Sequence, residues 1–205
     1  MDREPLIWWA GLCAVSVLNV FAWAWSATLI QRRPPGLPAE TLRFGRWQLL
    51  LSAGYVLGCG YRSALPVFDV RRLCLFDTWL SSVIVGRTVA TVAELCFAAQ
   101  WALLLNGASQ RVGSRRARVV AYALVPLIGV AELCSWHAVL TTSNLGHVFE
   151  ESIWGLCAAG VAFSLLQLLP RASRELRPLL AFCGVAGLGY VSTCSASTCP
   201  CTGPA

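Results

Sequence analysis

The chain has 205 residues, of which 57% are hydrophobic and only 13% charged, with a formal net charge of +6 and a mean hydropathy of +0.63. Typical soluble domains carry roughly 25% charged residues, so this composition lacks the polar shell of a soluble globule and has far too much apolar surface for a disordered chain. All sixteen basic residues are arginine. Without lysine there is no Walker-type phosphate loop, no Schiff-base enzyme and no retinal protein.

Other absences narrow the chemistry. There are two histidines, His137 and His147, so a three-histidine zinc site cannot be built. The His-Glu-x-x-His pattern of zinc proteases does not occur. No Cys-x-x-Cys pair is present, which argues against thioredoxin-like or quinone-coupled disulfide chemistry. These readings leave an all-α polytopic integral membrane bundle of about six transmembrane helices, in a single domain over 1–191, with transport or membrane assembly favoured over catalysis and no cofactor expected.

The first apolar run, 6–30, has no charged residue. At about 1.5 Å per residue it exceeds the roughly 30 Å hydrocarbon core of a bilayer. It is longer than the 7–15 residue core of a signal peptide, and Met1-Asp2-Arg3-Glu4-Pro5 before it has no net positive charge. Ala22-Trp23-Ala24 resembles a cleavage site, but a span is the better reading. Further runs follow at 47–67, 78–105, 119–141, 152–169 and 179–193. All nine tryptophans fall near a run boundary, as the headgroup preference of indole predicts.

Arginine placement gives an orientation. The segments 31–46, 106–118 and 170–178 hold eleven of the arginines. By the positive-inside rule these loops are cytoplasmic and both termini lie outside, in a lumen or periplasm. The same arginines should attract anionic headgroups, and topology explains them better than nucleic-acid binding does. The connector from Tyr61 to Asp77 mixes Arg62, Asp69, Arg71 and Arg72 with large apolar residues, and Pro66 should end the second run. It suits a compact connector with internal Asp–Arg pairing, a lid on the bundle, or a partner surface. Residues 192–205 lose their large apolar side chains and read as a disordered or aberrant Cys/Ser/Thr tail.

Ionisable groups inside apolar runs are costly, so they need partners or a water path. Arg87 and Glu94 lie in the third run, Glu132 and His137 in the fourth. Counting along an antiparallel hairpin places all four in one polar band. Arg87 and Glu94 share a face, but with about 10 Å between their positions along the axis direct contact is not expected. The band is either a buried Arg–Glu pin or a proton or cation path through Glu94 and Glu132.

A second group gathers at the outer face: His137, Asn144, His147, Glu150 and Glu151, with Asp69 and Asp77 from the connector. His147 and Glu151 sit at i and i+4, correct for two metal ligands if the fifth helix begins early. A metal-activated water there would make the protein an intramembrane lipid hydrolase. Acidic residues at a helix start are the commoner explanation of Glu150 and Glu151. Cys59 and Cys74 are placed for a disulfide on an oxidising side. Gly54 and Gly58 form a small-xxx-small pattern that serves either internal packing or a homo-oligomer.

Overall fold

The computed structural model describes residues 3–32, 36–68, 73–74, 78–174 and 177–197. The architecture is helical. Among the described residues six helices occur in order: α1 (Arg3–Gln31), α2 (Ala39–Ala64), α3 (Val83–Val112), α4 (Arg115–Thr141), α5 (Asn144–Leu168) and α6 (Arg177–Ser197). Two short 3-10 turns, Trp79–Ser81 and Leu169–Arg171, precede α3 and follow α5. A minimal antiparallel ladder joins β1 (Val67–Phe68) to β2 (Leu73–Cys74), with Val67 opposite Cys74.

Among the described residues four helices are long and apolar enough to cross a membrane: Leu6–Gln31, Val83–Val112, Arg115–Thr141 and Asn144–Arg171. The other two fall short for identifiable reasons. Helix α2 carries Glu40, Arg43 and Arg46 in its first two turns and Arg62 in its last. The apolar part of α6 among the described residues is the shorter Arg177–Gly189. Helical backbone nevertheless runs on to Ser197, past residue 192 where a loose tail was expected, and 198–205 lie outside the described residues.

Helix ends follow local chemistry. Ser114 caps α4, its side chain accepting from the Ala117 N–H at 3.4 Å. Gly113, with φ of 74°, makes the turn before it in a region that favours glycine. At the other end of α4, Thr142 takes φ of 55° and its N–H reaches Ala138 O. Only Thr142 and Ser143 separate α4 from α5, so the two helices fold back as an antiparallel hairpin. Arg177 closes the turn after α5, donating from Nε to Ala172 O at 3.1 Å and from its guanidinium to Pro170 O at 3.2 Å.

The chain divides into two compact units, Met1–Gln100 and Trp101–Ala205, with the boundary inside α3. In the first unit α1 and α2 are antiparallel neighbours tied by side-chain donors. Trp9 Nε1 donates to Ala64 O at 3.3 Å, Cys13 Sγ to Ser63 O at 3.5 Å and Trp23 Nε1 to Leu49 O at 3.0 Å. Trp9 and Trp23 thus turn their indole donors onto the neighbouring helix. Apolar helices in contact gain little from hydrophobic burial when lipid is the alternative, so such polar clamps and close packing carry more of the specificity.

Helix α2 packs on the first part of α3 in the same way. A Cβ added to Gly58 would lie 2.6 Å from Ala93 Cβ, and one on Gly54 would lie 2.7 Å from Cys96 Sγ. The Gly54–Gly58 pattern is therefore occupied by internal packing. Tyr55 stacks on Phe97 with centroids 4.7 Å apart. Gln48 Nε2 donates to Gln100 O at 3.0 Å, and Gln100 Nε2 donates back to Gln48 O at 3.2 Å. This reciprocal pair fixes both the register and the spacing of the two helices.

In the second unit α5 packs between α4 and α6. Its hydrophobic core is Leu105, Ala117, Ala121, Leu165, Leu168 and Leu180. These come from the end of α3, the start of α4, the end of α5 and the start of α6, so the core gathers those four helix ends. At the far end of the hairpin Gly146 sits against α4. An added Cβ would meet Ala138 Cβ and Cys134 O, each at 2.7 Å.

Candidate functional site

Each unit carries ionisable side chains on its apolar helices. In the first unit a pair lies on α3. Arg87 is buried, 8% exposed, and its guanidinium lies 4.0 Å from a carboxylate oxygen of Glu94. The expectation that these two cannot touch is corrected here. Counting rise per residue measures the backbone separation, whereas two long side chains on one face reach towards each other across nearly two turns. On the facing stretch of α2, Tyr55 stacks on Phe97 and Cys59 is a free thiol.

In the second unit a cluster joins α4 to α5. Glu132 on α4 is only 3% exposed. Glu150 on α5 offers a carboxylate oxygen within 4.8 Å of one from Glu132. Glu150 Oε2 in turn lies 3.1 Å from His147 Nδ1, with side-chain exposures of 13% for Glu150 and 35% for His147. The polar groups thus run from a buried carboxylate through a second carboxylate to a half-exposed imidazole. Helix α5 begins at Asn144, well before residue 152, so Glu150 sits inside the helix. The i,i+3 spacing brings His147 to Glu150, while Glu151 is exposed.

His137 is placed elsewhere. It is exposed and lines an open, mainly apolar groove of about 350 Å³ with Val130, Leu133, Cys134, Leu145 and Phe149. Asn144 is exposed at the first turn of α5. Asp69 and Asp77 lie outside the described residues. Cys59 is a free thiol, and the side chain of Cys74 lies outside the described residues.

Ser135 is an uncharged polar residue on the same helix as Glu132. It lies one turn beyond Glu132 on the buried face of α4, and its hydroxyl is fully buried. Among the described residues its Oγ has no hydrogen-bond partner, which sequence pattern does not reveal. No protein-family model, no curated protein and no solved structure matches this chain.

Proposed function

We propose that the chain is a multi-pass integral membrane protein that acts as a small cation transporter or as the cation-handling component of a membrane complex. The observation that carries this reading is the Glu132–Glu150 pair on apolar helices, with Glu132 only 3% exposed and the carboxylates within 4.8 Å. Placing a carboxylate at membrane depth costs about 2.5–3.5 kcal/mol on insertion scales, and such groups characteristically line ion pathways. A second carboxylate beside the first makes a site whose free energy depends steeply on whether a cation sits between them. His147, half-exposed at the end of the series, connects that site to its surroundings.

In this reading the three arginine-rich segments are cytoplasmic and both termini lie outside. The arginines at the ends of α3, α4, α5 and α6 support it, since they flank the apolar core of the second unit at one end. Each arginine near an anionic leaflet contributes about 1 kcal/mol of surface attraction. The competing reading is a metal-dependent lipid hydrolase, favoured by the His147–Glu150 contact at 3.1 Å. It needs an activated water and an ester or amide substrate, so a lipid-cleavage assay separates the two.

The test is flux in proteoliposomes containing the full chain, with pH-sensitive and divalent-sensitive dyes trapped inside. Imposed proton and cation gradients should dissipate faster than in empty vesicles. Glu132→Gln should slow this by roughly tenfold or more, as expected where an intramembrane carboxylate handles the ion. Glu151→Gln, at an exposed position, should leave it unchanged. Equal rates for wild type, Glu132→Gln and empty vesicles would remove the transporter reading.

A further inference from the structure

We propose that Glu132, Glu150 and His147 form a binding site for a divalent first-row transition-metal ion, with Ser135 in its polar wall. This rests on the cation-handling reading above and names the ion class.

The ligand spacing is the first reason. Cis ligands held about 2.1 Å from a metal lie about 3 Å from one another. His147 Nδ1 and Glu150 Oε2 are 3.1 Å apart. A Glu132 carboxylate oxygen lies within 4.8 Å of Glu150, a gap that one small cation bridges with modest rotamer movement. Two carboxylates neutralise the charge of a divalent ion, which is what makes such an ion tolerable away from water. The imidazole nitrogen sets the class. Calcium and magnesium prefer all-oxygen shells, whereas mixed nitrogen and carboxylate donors suit manganese, iron, cobalt or zinc.

Ser135 is the second, independent reason. A helical serine usually returns its hydroxyl to a carbonyl of its own helix, as Ser26, Ser63, Ser152 and Ser164 do here towards residues four positions earlier. The Ser135 hydroxyl is 0% exposed and makes no such bond. Burying an unbonded hydroxyl is unfavourable, so its rotamer keeps a donor and acceptor available in the layer that holds Glu132. A coordinated ion, or a water on that ion, supplies the partner.

The test uses the full chain purified in detergent, stripped with chelator and titrated with Mn2+ followed by the paramagnetic signal of the free ion. Manganese is chosen because the cysteines bind it poorly, whereas they compete for zinc. One saturable site is expected, unaffected by excess Mg2+. His147→Ala, at a half-exposed position that should not disturb folding, should weaken binding at least tenfold. Ser135→Ala should weaken it less, and Glu151→Gln should not. Absence of a saturable site, or equal binding by wild type and His147→Ala, would overturn the proposal. If Mn2+ does not bind but proton flux still depends on Glu132, the metal site falls and the transporter reading stands. If Mn2+ binds at this site and no flux occurs, the metal site stands and the transporter reading falls.

Discussion

Gly146→Ala should destabilise the purified protein by about 2–3 kcal/mol, the scale of overpacking at a rigid contact. Gly155→Ala, in the same helix, should be neutral or stabilising by roughly 0.5–1 kcal/mol, the usual gain from removing a glycine inside a helix. The chemical change is identical and only the surroundings differ. A Cβ at Gly146 would lie 2.7 Å from Ala138 Cβ and from Cys134 O, and the second of these is backbone that cannot rotate away. A Cβ at Gly155 has nothing within 4 Å. Thermal unfolding in detergent, followed by helical signal, compares the two directly. Similar shifts for both variants would mean that α4 and α5 do not approach through Gly146. Because that approach is one turn from Glu150, it also sets how near Glu150 comes to Glu132.

Arg87→Ala is the second substitution with a large expected effect. Arg87 is 8% exposed and paired at 4.0 Å with Glu94, which is 23% exposed. Removing one member of a largely buried pair costs up to about 3 kcal/mol, because the other charge loses one of its compensating groups. Removing both should cost no more than Arg87→Ala alone. In a double-mutant cycle the coupling should therefore reach about 1 kcal/mol or more. Strictly additive losses would show that the 4.0 Å approach is incidental and that each side chain is held by other groups. The long separation makes this a sharp test, since a strong charge-assisted hydrogen bond is nearer 2.7–2.9 Å.

Much of the helical plan was legible in the sequence because it depends on composition over long windows. Runs of apolar residues mark α1, α3, α4 and α5 directly, and each of these is long and apolar enough to cross a membrane. Helix ends were less legible. The first two turns of α2 carry Glu40, Arg43 and Arg46, which hydropathy cannot tell from a loop. The start of α5 is hidden for the same reason, since Asn144, His147, Glu150 and Glu151 read as polar connector. A late start makes Glu150 look like a helix cap, whereas inside α5 it is a half-buried neighbour of Glu132.

The remaining features depend on which helix neighbours which, and a single sequence does not encode that locally. Gln48 and Gln100 look like ordinary polar residues until their reciprocal bonds to each other's carbonyls join α2 to α3. Indole chemistry marks Trp9 and Trp23 as boundary residues, yet the same N–H donors clamp α1 onto α2. Arg87 and Glu94 were placed on one face by helical periodicity, but backbone rise understated the reach of their side chains. Depth along the helix groups His137 with Glu132. Rotation about the helix axis separates them, since one is exposed and the other is buried.

Helix α4 offers the most direct measurement, because it carries Glu132 and its ends are well defined at Arg115 and Thr141. Single cysteines at Ser114 and Ser143, placed in a cysteine-free background, should react with a membrane-impermeant maleimide from opposite sides of the membrane. Ser114→Cys should label from the cytoplasmic side and Ser143→Cys from the outer side. Labelling of both positions from one side would show that α4 does not cross, and the membrane placement of Glu132 would fall with it.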